Sequence, residues 1–328
     1  MRTCKTVIRA AAVAALLFSY HGASVAQSAA AYPTKPIRFV VPWAPGAGLD
    51  ILARTIAPKM TEALGQQVIV DNRPGASSII GTEMVARAAP DGYTLILASN
   101  NHAINSALFA KVPFDPVKDF AAVGGVANYP MVLVVNTSLP AENVQDVIAL
   151  TRAKPGQLSY ATTGNGTPPH IAAELFKQLS KTDVVHVPYK GSAEALTGVI
   201  SGQVHLMFVN PLSSLQHVRA GRLRALAVTT LQRISIAPEL PTVAESGLPG
   251  FNVSLWSGIL VPRATPPEII AKLNRELVRI LVSPDMKEKL IVQGSEATPS
   301  TPDGFAKLIV SEMDRLGKIA KAANMRVD

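Results

Sequence analysis

The sequence predicts an α/β fold of two lobes, each built on a mostly parallel sheet with helices on its faces. Short β-rich runs alternate with helix-patterned stretches, as where Ile37–Val41 is followed by apolar residues at helical spacing from Leu49 to Leu64. Such alternation favours parallel strands joined by helices. Two glycine-rich turns, about 120 residues apart, each follow a strand and open a helix. A chain of 328 residues is also long enough for two domains.

The N-terminal segment has the composition of a secretory signal peptide. A basic start is followed by the apolar run Ala10–Phe18, and Ser24-Val25-Ala26 supplies small residues for cleavage. The alternative is a membrane anchor, but the run is shorter than the roughly 20 residues that a spanning helix needs. We therefore expect residues 1–26 to be removed after Ala26 and the mature protein to be soluble and periplasmic.

Composition excludes several classes of function. The one cysteine, Cys4, lies in the predicted signal peptide, so the mature chain has no disulfide, thiol nucleophile or thiolate metal site. The formal charge of +8 falls to about +5 once three basic residues leave with the signal peptide. Aromatic residues make up only 5% and there is no basic stripe, so nucleic-acid binding is not expected. A mild positive field suits small acidic ligands.

Two apolar runs lie near the boundaries between blocks of alternating elements, and they predict the domain organisation. They are Val123–Val135 and Phe251–Val261. A chain that leaves the first domain, builds the second and returns would cross at these places. We expect a discontinuous first domain of residues 27–128 and 254–328, with the second domain at residues 129–253.

The first glycine turn, Trp43–Asp50, suits a small anion. It leaves backbone N–H groups at the positive end of a helix, and Gly46 and Gly48 allow a ligand to approach the backbone. Asp50 either accepts a hydrogen bond from a ligand's amino or hydroxyl group or caps the helix. The turn lacks the third glycine of a dinucleotide fingerprint and the Gly-Lys-Ser/Thr of a phosphate loop, so no nucleotide cofactor is expected.

The second glycine turn offers hydroxyl donors as well as backbone amides. Three threonines flank its two glycines: Thr162, Thr163, Gly164, Gly166 and Thr167. His170 falls in the first turn of the following helix, where a structural hydrogen bond is a more common role for a lone histidine than catalysis. Two facing turns of this kind suggest a cleft that closes on an acidic ligand.

Two other strands of the predicted first domain also end in polar residues. Asn72-Arg73-Pro74-Gly75 follows one and Ser99-Asn100-Asn101 follows the other. Ligands of parallel sheets bind outside the carboxyl ends of the strands, so Asn72, Ser99 and Asn100 are candidate site residues. Arg73 is a minor candidate for a bidentate carboxylate contact, the alternative being a solvated surface side chain.

Signatures of catalysis are weak. None of the five histidines after the predicted cut forms a metal-binding pair on one helix face, and there is no Gly-x-Ser-x-Gly elbow. We expect no catalytic residues, no metal and no cofactor.

With these turns in view, the chain strongly resembles the Bug (TctC) family of extracytoplasmic solute receptors of tripartite tricarboxylate transporters. The resemblance covers nearly all of the predicted mature chain and depends on the order and spacing of several segments. They are Pro42–Asp50, Asp71–Gly75, Pro90–Tyr93, Thr162–His170, Val187–Gly191, Gly221–Thr229 and Pro241–Gly247.

The resemblance implies a monomeric, two-lobed type II periplasmic binding protein, the flytrap fold, with a mixed, mostly parallel sheet in each lobe. It implies a small organic carboxylate held through water and backbone groups of the facing loops, here Trp43–Asp50 and Thr162–Thr167. It also implies delivery of that ligand to the membrane subunits of a transporter. The alternatives are the same receptor docking to a sensor protein and, less favoured, a periplasmic enzyme acting on a small acid.

Two departures from the family pattern bear on the ligand. Ala47 and Leu49 replace a glycine and a hydroxyl residue, and Val209 followed by Asn210 stands where the family often has an acid. Loss of that acid removes a partner for a ligand amino group, so we expect a less polar aromatic or aliphatic acid rather than an amino acid.

The complete set of predicted ligand-binding residues combines the two loops, the other strand ends and the family segments. It is Trp43, Ala44, Pro45, Gly46, Ala47, Gly48, Asp50, Asn72, Ser99, Asn100, Thr162, Thr163, Gly164, Gly166, Thr167, His170, Tyr189, Val209 and Asn210.

Overall fold

The computed structural model describes residues 32–322. The predicted signal peptide, with its cut after Ala26, lies outside the described residues. Within residues 32–322, no helix combines the length and the apolar character that crossing a bilayer requires.

Strands and helices alternate along most of the described chain. In order they are β1 (Ile37–Val41), α1 (Gly48–Leu64), β2 (Val68–Asn72), α2 (Ile79–Ala86), β3 (Thr94–Ser99), α3 (Asn100–Leu108), β4 (Phe120–Tyr129), β5 (Val132–Asn136), α4 (Val144–Ala153), β6 (Ser159–Thr162), α5 (Pro168–Ser180), β7 (Val185–Pro188), α6 (Ser192–Ile200), β8 (Leu206–Val209), α7 (Pro211–Arg219), β9 (Leu223–Val228), β10 (Leu255–Pro262), α8 (Pro267–Leu281), α9 (Pro284–Val292), β11 (Glu296–Ala297) and α10 (Pro302–Ala322).

The strands form two sheets, and the two-lobed α/β fold is confirmed. The first lobe contains a six-stranded sheet in the order β11-β4-β10-β3-β1-β2, and the second a five-stranded sheet in the order β7-β6-β8-β5-β9. The second sheet draws all its strands from residues between β5 and β9, whereas the first takes strands from before and after that stretch.

The sheets are mixed, as expected, but the expectation that each is mostly parallel is wrong. Four of the nine described strand pairings are parallel and five are antiparallel. The physical reason is the passage between lobes. Strand β10 enters the first sheet from the second lobe and β5 enters the second sheet from β4. Neither comes through the helical crossover that makes consecutive strands parallel.

The passages between the sheets define one edge of each sheet, which we call the cleft edge. The start of β10 pairs with the end of β4, Leu255 opposite Tyr129. The start of β5, Val132, lies between Val209 at the end of β8 and Val228 at the end of β9. Strands β1 and β3 also end at the cleft edge, since β3 is antiparallel to β10 and parallel to β1. The segments that follow these strand ends therefore face the second lobe.

Helices seal the faces of the first sheet. In α1 the buried Leu52, Ile56 and Met60 recur at helical spacing and pack on the strands. Helix α10 packs across β4, and its Phe305 ring covers Gly258 of the neighbouring β10, where an added Cβ would overlap the ring. Only glycine permits that approach. This packing lies on the faces of the sheet rather than at the cleft edge, so the loops at that edge are available to contact a ligand.

Candidate ligand site at the cleft edge

The first loop joins β1 to α1 and is folded by a tight turn. Gly46 has φ of +81° and donates its N–H to Asp50 Oδ2 at 2.8 Å. Ala47 is extended, and α1 begins at the exposed Gly48. Because the first amides of a helix lack acceptors within the helix, this end of α1 presents donors at the cleft edge. Ala44 and Pro45 are exposed on the outer side of the turn.

Asp50 uses both carboxylate oxygens inside the protein. It is 2% exposed and accepts hydrogen bonds from Asn72 Nδ2 at 2.8 Å and Arg54 Nε at 3.0 Å, besides the Gly46 amide. Burial raises the pKa of Asp50, but these donors outweigh burial and hold the pKa below its usual range. Asp50 thus shapes the loop, and its predicted direct contact with a ligand stays a prediction.

Asn72 and Arg54 complete this network. Asn72 donates to the Trp43 carbonyl at 3.0 Å and accepts from Arg54 Nη2 at 2.9 Å, so it ties the loop to the end of β2. Arg54 was not among the predicted residues. Its spacing of four residues from Asp50 on an amphipathic helix was the available signal.

The second loop, between β6 and α5, is held by side chains of its own sequence. Gly164 and Gly166 have φ of +117° and +73°. Thr162 Oγ1 accepts the Gly164 N–H at 3.1 Å, and Thr167 Oγ1 donates to the Gly164 carbonyl at 2.7 Å. The Gly166 N–H donates to His170 Nδ1 at 3.1 Å. His170 therefore makes the structural hydrogen bond that is the more common role, while Thr163 is partly exposed in the turn.

An aromatic stack stands behind the second loop. The ring of His170 lies 4.1 Å from that of His186, which in turn stacks on Tyr160 at 4.9 Å. His186 Nε2 lies 2.6 Å from Thr162 Oγ1. Burial, and then the neighbouring His186, lower the pKa of His170 to about 4, and burial lowers that of His186. Both imidazoles are neutral at pH 7. Sequence reasoning missed His186 because the stack joins residues of β6, α5 and β7, which only the fold brings together.

The remaining predicted residues are packed into the lobes. Asn100 is buried and bridges the start of β10, accepting from the Trp256 N–H at 2.9 Å and donating to the Ser254 carbonyl at 3.0 Å. Val209 and Ser99 are also buried. Tyr189 lies against α6, where its hydroxyl is 2.4 Å from a Cβ added to Gly198. These residues pack within the lobes next to the cleft edge, so they stabilise its loops.

A strained turn follows β2, and no sequence pattern predicted it. Ala76, Ser77 and Ser78 have φ of +43°, +51° and +78°, a left-handed backbone that non-glycine residues seldom adopt. The Ser77 carbonyl accepts from Asn105 Nδ2 at 2.8 Å, which fixes the turn to α3. Arg73 just before it is half exposed and pairs with Asp71 at 3.0 Å, in line with its surface alternative.

A cavity of about 230 Å³ opens between the lobes at the cleft edge. Its described lining is Trp43, Ala47, Gly48, Leu49, Tyr129, Asn210 and Leu255. Four of the predicted residues therefore meet there, three from the first loop and Asn210 from the second lobe. Tyr129 and Leu255 were missed: Tyr129 is the last residue of β4, but Leu255 is the first residue of β10, where the rule on the carboxyl ends of strands does not apply.

The second loop is not part of that lining. It meets the first lobe elsewhere, where a Cβ added to Gly166 would lie 3.2 Å from the side chain of Leu108. The two glycine turns thus each approach the opposite lobe, but the described cavity is formed by the first.

Other features of residues 32–322 lie outside this site. A larger cavity of about 430 Å³ lies on the first lobe among β4, β10 and α10, with mainly apolar walls and none of the predicted residues. Within the same residues, no three His, Asp or Glu side chains are placed to hold a metal ion.

Comparisons with known proteins agree with this architecture. The family model described as "Tripartite tricarboxylate transporter family receptor" (TctC) matches residues 52–325. Protein BugT of Bordetella pertussis (strain Tohama I) is 34% identical over 321 residues, covering 97% of this chain and 98% of BugT.

Two solved structures have the same fold and were determined with ligands. Rpa4515 of R. palustris, described with adipate, is 36% identical with a TM-score of 0.75, covering 90% of this chain and 100% of that one. MatC from Rhodopseudomonas palustris, described with bound malate, is 32% identical with a TM-score of 0.70, covering 88% and 99%. These relatives are binding proteins rather than enzymes. The chain has two lobes that meet at a cleft edge, and the family model matches it along most of its length. It therefore belongs to the TctC (Bug) family of extracytoplasmic solute-binding receptors.

Proposed function

We propose that the protein captures a small organic carboxylate in the cavity between its lobes and delivers it to the membrane subunits of a tripartite tricarboxylate transporter. The observation that carries the proposal is the cavity lining. It joins the amide end of α1, at Gly48 and Leu49, to Asn210 of the second lobe. A ligand held by both lobes favours their closed arrangement by its differential affinity, which is how such a receptor signals occupancy.

The ligand class follows from the charges around the cavity. No acidic or basic side chain is in its described lining, so a carboxylate would be held by amide and side-chain donors and by the helix terminus. Asp50, the nearest acid of the loop, is neutralised by Arg54 and the amide donors. An ammonium group would find no anionic partner there. The lining therefore supports a non-amino acid ligand, and the adipate and malate of the two relatives fall in that class.

The domain division and the export route form part of the same proposal. Strand membership supports a second domain, proposed as residues 129–253, inserted between residues 27–128 and 254–328, because β5 to β9 form the second sheet and the strands before and after them form the first. Cleavage after Ala26 would release the receptor into the periplasm, where a transporter of this family takes up its solute.

Asn210→Asp tests the site. The residue begins α7, where its Oδ1 accepts the Leu212 N–H at 2.9 Å, and aspartate caps helices equally well. The change therefore keeps the fold but brings a negative charge to the cavity. In thermal-shift assays with adipate, malate, benzoate and glutamate, we expect at least one non-amino acid to stabilise the wild type by about 2.7 kcal/mol at a hundred times its Kd. We expect Asn210→Asp to lose most of that shift.

Asn143→Asp is the matched control, because Asn143 caps α4 by accepting the Asp146 N–H far from the cavity. It should keep the ligand response. The proposal would be contradicted if none of the acids stabilised the wild-type protein. It would also be contradicted if the Asn210→Asp protein responded to them like the wild type.

A further inference from the structure

A glutamate of the first lobe has its side-chain hydrogen bonds to the second lobe. Glu296 Oε1 accepts the Ser235 N–H at 2.9 Å and the Ser235 hydroxyl at 2.8 Å. Within residues 32–322, no lysine or arginine forms an ion pair with Glu296, and no residue of its own lobe hydrogen-bonds to its carboxylate. The carboxylate therefore contributes to the contact between the lobes rather than to the structure of the first lobe.

Both partners are held firmly by their own lobes. Glu296 lies in β11, where it pairs with Asn128 near the end of β4. Ser235 lies in a turn between Ile234 and Ala237, which are each 1% exposed and pack in a cluster with residues of β5, β8 and β9. The Ala237 N–H donates to the Ile234 carbonyl at 3.2 Å and closes that turn. The two hydrogen bonds can therefore form only when the lobes bring β11 against this turn.

The same segment of the first lobe also contacts the second lobe beside the cavity. Gly294 is buried, and a Cβ added to it would lie 3.0 Å from Asn210 Oδ1 and 2.8 Å from Leu212 Cγ. Asn210 belongs to the cavity lining. Residues 294–296 thus contact the second lobe at two points, which with Ser235 we call the clasp. A movement that separates Ser235 from Glu296 should also displace Asn210 relative to the amide end of α1.

We propose that the clasp stabilises the lobe arrangement in which the cavity is formed, and that Glu296 is a positioning residue for ligand capture. The clasp favours that arrangement before any ligand is bound, so it increases the fraction of receptor that is competent to bind. The apparent Kd equals the intrinsic Kd divided by this fraction. The clasp therefore raises affinity without touching the ligand. This inference rests on the proposed function and adds a conformational contribution to it.

Substitutions on both sides of the clasp test the proposal. Glu296→Ala removes the acceptor of two donors, whereas Ser235→Ala removes only the hydroxyl donor. In calorimetric titrations with adipate and malate, we expect Glu296→Ala to weaken binding about three- to tenfold and Ser235→Ala about two- to threefold, as partly exposed hydrogen bonds to a charged group allow. The double variant should bind like Glu296→Ala, because the hydroxyl has then already lost its acceptor. Glu296→Gln keeps a side-chain oxygen for both donors and should recover most of the affinity.

Glu276→Ala is the matched control. Its carboxylate pairs with Arg275 and Arg279 of the same helix, α8, so its loss removes no contact between the lobes. It should keep the Kd within about twofold of the wild type.

Small-angle X-ray scattering of the unliganded proteins measures the lobe arrangement directly. We expect a larger radius of gyration for Glu296→Ala than for the wild type, and no increase for Glu276→Ala or Glu296→Gln. Urea unfolding identifies a variant that is merely unstable, and Ser235→Ala, a small change at an exposed position, then decides the question.

The outcomes separate the clasp from the proposed function. If Glu296→Ala and Ser235→Ala keep both the Kd and the radius of gyration of the wild type, the contact is the same in open and closed lobes and the clasp is refuted, while carboxylate capture stands. Equal losses in Glu296→Gln and Glu296→Ala would also refute it, because an acceptor at this position would not matter. If no carboxylate binds the wild type, the proposed function fails, and the radius of gyration alone decides whether the clasp holds the lobes together.

Discussion

Both glycine turns are fixed at the start of a helix, but a charged side chain holds the first and neutral side chains hold the second. The first is held by a buried carboxylate, Asp50, whose charge is matched by Arg54. The second is held by neutral imidazoles, since His170 accepts the Gly166 N–H and His186 contacts Thr162. Each arrangement fixes a turn at the start of a helix without leaving net negative charge beside the amides. On the proposed function, a carboxylate ligand would meet no net negative charge at either turn.

The comparison also separates how each turn depends on pH. The pKa of Asp50 is lower in the folded protein than in the unfolded chain. Its contribution to folding stability is therefore present at pH values above the usual pKa of an aspartate, and it is lost only as the pH falls through the folded pKa. His170 has a pKa lowered from 6.5 to about 4, so the unfolded chain binds its proton first and folding stability declines as the pH falls between those values. Mild acid should thus weaken the second turn before the first.

The largest expected effect comes from removing the charged support of the first turn. Asp50→Ala would leave the Gly46 amide and the Asn72 side chain without their acceptor and Arg54 without its partner. Because Arg54 is half exposed and can be solvated, we expect a loss of about 2–3 kcal/mol, below the 3–5 kcal/mol of a fully buried pair. Urea unfolding of the unliganded protein measures it.

Glu62→Gln on the same helix is the control, since Glu62 is 78% exposed and should change stability by less than about 0.5 kcal/mol. An Asp50→Ala protein as stable as the wild type, with ligand binding alone impaired, would instead make Asp50 a direct ligand contact and break the comparison.

The second expected effect is the acid response of the second turn. A proton on His170 Nδ1 cannot coexist with the Gly166 N–H donating to that atom, although Glu174 and Lys177 nearby bias the ring in opposite directions. Between pH 6.5 and about 4 we expect the protein to lose roughly 1–3 kcal/mol from this site. His170→Asn places an amide oxygen near Nδ1 and does not titrate, so its melting temperature should fall less over that interval.

Thr163→Ser, a change in the same turn that involves no titratable group, is the control for that experiment and should keep the wild-type slope. If His170→Asn keeps the same slope too, another group governs the acid response, and the turns do not differ in the way proposed.

The sequence identified the turns but not what supports them. Glycines after a strand and before a helix predict a turn from local chemistry alone, and both turns are present. Asp50 could hydrogen-bond to a ligand or to the protein itself, and its partner Asn72 lies at the end of another strand, β2. The spacing of residues along the sequence therefore could not predict which bond forms. Tyr129 and Leu255 were missed because their pairing follows from the antiparallel entry of β10, and the sequence pattern had indicated mostly parallel sheets.

The start of helix α3 is a second case in which a local sequence pattern failed to predict the structure. Its start, Ser99-Asn100-Asn101, reads as a polar loop, because asparagine is a weak helix former. In the fold, Asn100 satisfies the backbone of β10 at Ser254 and Trp256, and that tertiary contact outweighs the local preference. Residues that join two elements are therefore the ones that local sequence patterns describe least well.

The smallest expected effect compares the two turns directly, through one methyl group on each. Gly46 and Gly166 have similar φ values, +81° and +73°, so alanine at either position should cost about 1–2 kcal/mol of backbone strain. Their surroundings differ. A Cβ at Gly46 meets no atom within 4 Å, whereas one at Gly166 lies 3.2 Å from Leu108 of the opposite lobe. Gly166→Ala should therefore also oppose closure and weaken ligand binding by about two- to fivefold more than Gly46→Ala.

Urea unfolding and ligand titration of both variants separate strain from closure, and Leu108→Ala in the Gly166→Ala background should restore affinity by making room for the methyl group. Equal losses of affinity in the two glycine variants would mean that the second turn does not press on the first lobe in the bound state. The contact between Gly166 and Leu108 would then be incidental to closure, and only the first turn, with its cavity, would link ligand binding to the position of the lobes.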